Sequence, residues 1–314
     1  MNLFSQLGTW FQECRASLGQ ILTTFPEGCR IPLKEWSNDG LQSLVRNFGN
    51  IFDIVNDQVL LILYRLEGLL LALPWWLVIL MIGVVAWSAS GKRGLAIGLA
   101  LSLVVIGMFG LWDDTVRTLT IMLLATTLTV LVGLPIGILA ATSRTVHAIM
   151  NPILDGMQTL PSFVYLIPMV FFFGLGNVAA IFATFTYAVP PMIRLTNLGI
   201  RLVDEQVVEA SEAFGASTVQ VLWGVRLPLA MPTIMAGVNQ AIMMALAMAV
   251  IASMIGARGL GAEVLRGVNN GNFGQGLEAG LAIVVLAIIL DRITAGYGRR
   301  LDYSAEPAQG GGRG

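Results

Sequence analysis

Charged residues are scarce in this chain. Asp, Glu, Lys and Arg make up 12% of its 314 residues, against roughly 25% in soluble domains, while 56% are hydrophobic and the mean hydropathy is +0.77. A chain so poor in charge belongs in lipid, as an integral membrane protein. Its 18 Lys and Arg and 19 Asp and Glu leave a net charge of -1, and the basic residues are scattered. That pattern offers no basic face, which excludes nucleic acid as a partner. Cysteine occurs twice, as Cys14 and Cys29, in neither CxxC nor metal-ligand spacing, which removes redox and zinc chemistry. The sole histidine, His147, has no carboxylate or Ser partner in view and reads as a surface residue. The Gly-rich stretches at 256–261 and 271–276 lack the Gly-Lys-Ser/Thr ending of a phosphate loop and read as flexible outer turns. No catalytic, cofactor or metal site is therefore expected in the chain. A basic start followed by a short apolar core is also missing, because Gln12, Glu13, Arg15 and Gln20 interrupt the first 24 residues. No cleaved signal peptide is expected.

What the chain does have is long stretches without charge. A bilayer core about 30 Å thick needs about 20 apolar residues per helix, and on that measure the charge-free residues 69–87, 94–112, 118–143, 156–193 and 227–257, with 274–296, which carries Glu278 near one end and Asp291-Arg292 near the other, supply about seven spans. The long run at 156–193 divides at Gly174-Leu175-Gly176-Asn177. Positive residues are retained on the cytoplasmic side, and Lys92-Arg93, Arg144, Arg194 with Arg201, and Arg299-Arg300 fall on alternate loops. The N-terminus is thus expected outside and the C-terminus inside. On this topology Cys14 and Cys29 lie outside, where either a disulfide or two unpaired thiols is compatible with an oxidising compartment.

Before the first span the pattern changes. From Leu41 onward Leu44, Val45, Phe48, Ile51, Val55, Val59 and Ile62 recur at three and four residue intervals, opposite Arg46, Asn50, Asp53 and Asp57. This predicts an amphipathic helix, lying on the outer membrane surface or docked against the spans. Residues 1–40 read as an irregular tail, and 301–314 as a disordered cytoplasmic tail.

Between two apolar runs stands EASEAFGASTVQVLWGVRLP, residues 209–228. Glu205, Glu209 and Glu212 supply acids beside Val207, Val208, Ala210, Ser211, Phe214, Val219 and Leu222, and Gly215 permits a sharp bend. Two short helices joined at Gly215 are expected, with Leu227-Pro228 marking the return to the membrane, since Pro suits a first helical turn. Read from these residues alone, the segment is either a docking element for a partner or a loop helix that covers the bundle. Its spacing, Glu209-Ala210-Ser211, three residues, Gly215, nine residues, Val225, one residue, Leu227-Pro228, resembles the EAA signature of ABC importer permeases. Ser211 stands where the family has a second Ala, and Val225 where it has Ile. The stretches MQTLPSFVYLIP at 157–168, PPMIRLTN at 190–197 and LAMPTIMAGVNQ at 229–240 are similar to permeases for glycine betaine, proline betaine and choline.

The resemblance implies an all-α integral membrane protein of about seven transmembrane helices in the bacterial cytoplasmic membrane. Residues 1–65 would form the outer segment, 66–112 two accessory helices and 113–300 a five-helix type I importer core with a cytoplasmic coupling loop at 202–226. It implies cytoplasmic ATPase subunits that carry ATP and Mg, with Glu209 pairing a basic residue there, an extracytoplasmic substrate-binding protein and a second permease copy. Pro161 and the Pro190-Pro191 pair are candidate hinges of alternating access, or tolerated kinks. Phe163 and Tyr165 are candidate π faces for a quaternary ammonium cation, or packing aromatics. Asn239 is a candidate pathway residue, or an interhelical hydrogen-bond partner. Two rivals stand: a permease for another small solute, such as an amino acid or sulfonate, and an ion-coupled secondary transporter. The latter usually needs ionisable groups within the membrane, and the spans from 118 to 257 carry none at their centres.

Overall fold

The computed structural model describes residues 31 and 33–300. The expected features of residues 1–30, including any pairing of Cys14 with Cys29, and the tail at 301–314 lie outside the described residues. The chain divides into two compact units, residues 1–52 and residues 53–314. Every regular element among the described residues is helical. In chain order these are α1 (Leu33–Ala72), α2 (Trp75–Ser90), α3 (Arg93–Met108), α4 (Trp112–Thr142), α5 (Arg144–Thr159), α6 (Leu166–Phe173), α7 (Asn177–Arg201), α8 (Glu205–Ala213), α9 (Thr218–Val221), α10 (Leu227–Ser253), α11 (Leu260–Asn269) and α12 (Phe273–Arg300). A 3₁₀ turn, Ser162–Tyr165, precedes α6, and a π turn, Leu222–Arg226, precedes α10.

The described part of the first unit is the beginning of α1. This helix starts at Leu33 with Glu35 in its first turn, where a carboxylate complements the helix dipole, so residues 33–40 are helical rather than irregular.

In the second unit α7 is the most buried of the long helices, and glycines let its neighbours approach it. A Cβ on Gly133 of α4 would lie 2.8 Å from Cγ of Met192, and one on Gly137 would lie 2.5 Å from Cβ of Thr196. On the α10 side the same holds for Gly199 of α7 against Thr233, at 2.9 Å, and more loosely for Gly237 of α10 against Leu195, at 3.2 Å. Small residues at such spacing bring helix backbones together in membranes, where packing drives association. The α2–α3 hairpin joins this core through Leu99, Leu103 and Ile106, which cluster with Met122, Leu246, Leu286 and Ile289. The end of α1 docks too: Leu63 is buried with Ile121, Ala125 and Ile181, and Arg117 donates to Glu67 at 3.1 Å. Over residues 59–67 the docked alternative therefore describes the amphipathic helix.

The count of about seven spans is not matched by length and composition. Among the described residues, four stretches are long and apolar enough to cross a membrane: α4, α7, the run Thr218–Ser253 and α12. Two bent pairs, α1 with α2 at 104° and α5 with Ser162–Phe173 at 110°, raise the number to six if each is one span, and α3 has only 16 residues. Both bends sit at a Leu-Pro step. Leu160 takes φ −70°, ψ 134° before Pro161, the extended conformation that a following proline imposes. Counting charge-free residues across 69–87 and 156–174 misses these changes of direction, because a proline redirects the chain without adding charge.

Candidate coupling site and translocation elements

The segment between α7 and α10 is a pair of short helices, each terminated by its own sequence. Asp204 caps α8 by accepting the Gln206 N–H at 2.9 Å, satisfying one of the free amides of a helix start. At the other end the Ala216 N–H donates to the Ser211 carbonyl at 3.1 Å and the Gly215 N–H to Glu212 at 2.8 Å. This is the Schellman arrangement, which requires a left-handed residue. Gly215 supplies it with φ +87°. Ser217 and Gln220 then form a capping box that opens α9, each side chain serving the other's backbone. The expected bend at Gly215 is where the two helices meet.

Val208 and Val221 are buried and hold the pair down, while Val207, Phe214, Val219 and Trp223 are exposed, Phe214 to 94%. Glu205, Glu209 and Glu212 are exposed as well, and none is in an ion pair among the described residues. Ala210 is exposed and Ser211 half-buried, its hydroxyl donating to the Val207 carbonyl at 2.8 Å. The result is an apolar knob edged with carboxylates. The sequence reading missed Trp223, although it follows Val219 by four residues and shares its helix face. Leu227 and Pro228 do not begin a fresh helix: helix runs from Thr218 to Ser253. Pro228 has no N–H for a bond back to Gly224, and the preceding turn widens so that Leu227 donates to Leu222. Val225 lies in this π turn.

The other singled-out residues do not form one site. Tyr165 is buried, its hydroxyl donates to the Met157 carbonyl across the bend at Pro161, and its ring lies 5.6 Å from that of Tyr187 at 59°. Phe163 is 47% exposed. Pro190 and Pro191 are buried inside α7, which continues through them, leaving the carbonyls of Thr186 and Tyr187 without their helical donors. Asn239 instead bonds α12: it donates to Asp291 at 2.9 Å and accepts from Thr294 at 2.6 Å. It stands nine residues from Met248, which packs with Tyr165, so along α10 the two are about 13 Å apart.

Two further corrections follow from the packing. His147 is half-buried rather than a bare surface residue, with Asn151 at 3.1 Å from one ring nitrogen and Asn197 at 3.0 Å from the other. Together with an Arg194–Asp155 ion pair it ties α5 to α7. Asn197 is 50 positions away, which is why sequence reasoning saw no partner. The 256–261 turn is pinned, since Asn177 accepts the Arg258 N–H at 3.0 Å and Thr118 the Leu260 N–H at 2.8 Å. Its glycines at positive φ, 256 and 259, shape it. It borders a cavity of about 400 Å³ lined by Asp114, Arg117, Ser253 and Arg258 among others.

A helical membrane bundle with a capped helix pair set between two of its spanning stretches, its apolar and acidic side chains exposed, has the architecture of an ABC importer permease. Residues 133–303 match the family described as binding-protein-dependent transport system inner membrane component, and the chain belongs to that family, a multi-pass component of the inner membrane. It is 46% identical over 269 residues to the glycine betaine/proline betaine transport system permease protein ProW of Escherichia coli (strain K12), covering 86% of this chain and 76% of that one. To the glycine betaine/carnitine transport permease protein GbuB of Listeria monocytogenes it is 42% identical, over 86% of this chain and 96% of that one. The fold resembles an inward-facing structure of the MetNI methionine ABC transporter with a TM-score of 0.54 over 59% of this chain and 93% of that one, at 22% identity.

Proposed function

We propose that this chain is the permease subunit of an ATP-driven importer for quaternary ammonium osmolytes such as glycine betaine, proline betaine or choline. Its relatives' names support the cargo, and the capped helix pair at 204–221 supports the drive. In this reading α8 and α9 seat in a cytoplasmic ATPase that carries ATP and Mg, with Phe214, Val219 and Trp223 as the apolar contact. Glu209 pairs with a basic residue there. A binding protein delivers the solute to the opposite face, and a second copy of the chain completes the pathway. The chain itself hydrolyses nothing. ATP binding and hydrolysis bias the assembly between two openings, through the different affinity of each for nucleotide.

The single observation that carries the reading is the pair of helices whose ends are satisfied internally while its apolar and acidic side chains are left outward. The test is Gly215→Val, assayed for co-purification with the ATPase and for solute-stimulated ATP turnover. Val at φ +87° is strained whatever the space around it, so the bend is lost. Loss of both complex and stimulation is expected, with the membrane bundle still folded. A retained complex with normal stimulation refutes the coupling role.

A further inference from the structure

The α2–α3 hairpin carries a groove that the transport reading does not use. It measures about 410 Å³, and its walls are Trp76, Leu80, Val84 and Trp87 from α2 and Ile97 from α3, over a floor that includes Ala96. Gly83 and Ala100, at 3.8 Å from an ideal Cβ to the opposing one, keep the floor low. From Trp76 to Trp87 the groove runs about 16 Å along the helix, close to one leaflet of a bilayer core about 30 Å thick.

One mouth of the groove is basic. The Arg93 guanidinium lies 5.5 Å from the centre of the Trp87 ring, which holds it at the rim. Lys92 is its neighbour. Arg300 of α12 reaches the same turn, with Nη2 only 3.1 Å from where a Cβ on Gly91 would stand. That approach is fixed by packing: a Cβ on Gly296 would meet the Ala89 backbone at 2.9 Å, and Ser88 and Tyr297 share a hydrogen bond of 2.8 Å. None of these three cations is in an ion pair among the described residues. A second apolar groove of about 350 Å³, lined by Trp75, Leu103, Val104, Gly107, Met108 and Trp112, has no cation in its wall, and the sequence continues into Asp113 and Asp114. Charge therefore distinguishes two grooves of similar apolar character.

We propose that the α2–α3 groove is a binding site for an anionic phospholipid, with one acyl chain along Gly83 and Ala100 and the headgroup phosphate between Arg93, Lys92 and Arg300. Basic pockets between spanning helices on the cytoplasmic side suit anionic headgroups, and the chain-length groove beneath makes this a site rather than a diffuse attraction. It is independent of the transported solute.

The test is native mass spectrometry of the full-length chain in detergent, titrated with phosphatidylglycerol or with phosphatidylcholine of the same acyl chains. One phosphatidylglycerol per chain is expected to be retained in preference to phosphatidylcholine. Arg93→Gln and Arg300→Gln should each weaken that retention roughly fivefold. Gly83→Leu and Ile97→Trp fill the groove from opposite helices with every charge in place, and each should weaken retention by a similar factor. Phosphatidylcholine retention should be unchanged by the two Arg variants. Wild-type retention of both lipids alike overturns the proposal. So does normal phosphatidylglycerol retention in both groove-filling variants while the Arg variants lose it, because the headgroup would then need only a basic surface.

Discussion

At Tyr165 one side chain is asked to do two things, and its geometry decides between them. The ring is buried against Tyr187 and the hydroxyl is spent on the Met157 carbonyl, so it clamps the two sides of the bend at Pro161. An open π face is left at Phe163, which is half exposed. We expect Tyr165→Phe to keep the ring contact and lose about 0.5–1.5 kcal/mol, the net worth of a neutral hydrogen bond, read as a lowered melting temperature in detergent. Phe163→Leu, in contrast, should lower betaine uptake with the melting temperature unchanged if its ring meets the cation. Unaltered uptake in the Phe163→Leu, Tyr165→Leu double variant removes both aromatics from the pathway.

Among elements, α7 has the least room to change, because glycines on both sides set its distances. Gly137→Ala would place a methyl 2.5 Å from Cβ of Thr196 and 3.0 Å from the Ile193 carbonyl oxygen, so α4 and α7 must part. Overpacking of this kind costs about 1–3 kcal/mol, while Gly98→Ala, with nothing within 4 Å, is the matched control. Melting temperatures of the two variants in one detergent check this, and equal values would show that the α4–α7 contact is looser than its backbone distance. The charge-free lengths at 118–142 of α4 and 177–193 of α7 stood in the sequence, as did the apolar middle of α12 and the helix, bend, helix of 205–221. These are local patterns, and a local pattern is legible without a fold. What was not legible depended on direction or on distant partners: the turns at Leu73-Pro74 and Leu160-Pro161, the Asn197 that meets His147, and the inward Val208 beside the outward Val207. Amphipathic spacing proposes a face, but only packing chooses which of two adjacent valines lies beneath it.

For the whole molecule, the reading of an importer requires that the helix pair and the Arg258 turn open to opposite compartments. Lys92, Arg93, Arg144, Arg201, Arg226, Arg299 and Arg300 fall in connections that alternate with those holding Asp113-Asp114 and residues 256–272, and positive residues stay on the cytoplasmic side. The sequence makes the test clean, since Cys14 and Cys29 are its only thiols. In a Cys14→Ser, Cys29→Ser background, Val219→Cys should react with a membrane-impermeant maleimide only in inverted vesicles, and Arg258→Cys only in intact spheroplasts. Both positions are exposed in the folded chain, so failure to label from either side would reflect a bound partner, and stripping the ATPase from inverted vesicles should then raise labelling at Val219→Cys alone. Labelling of Val219→Cys from outside would place the helix pair where no ATP-driven motor can reach it, and the importer reading would fall with it.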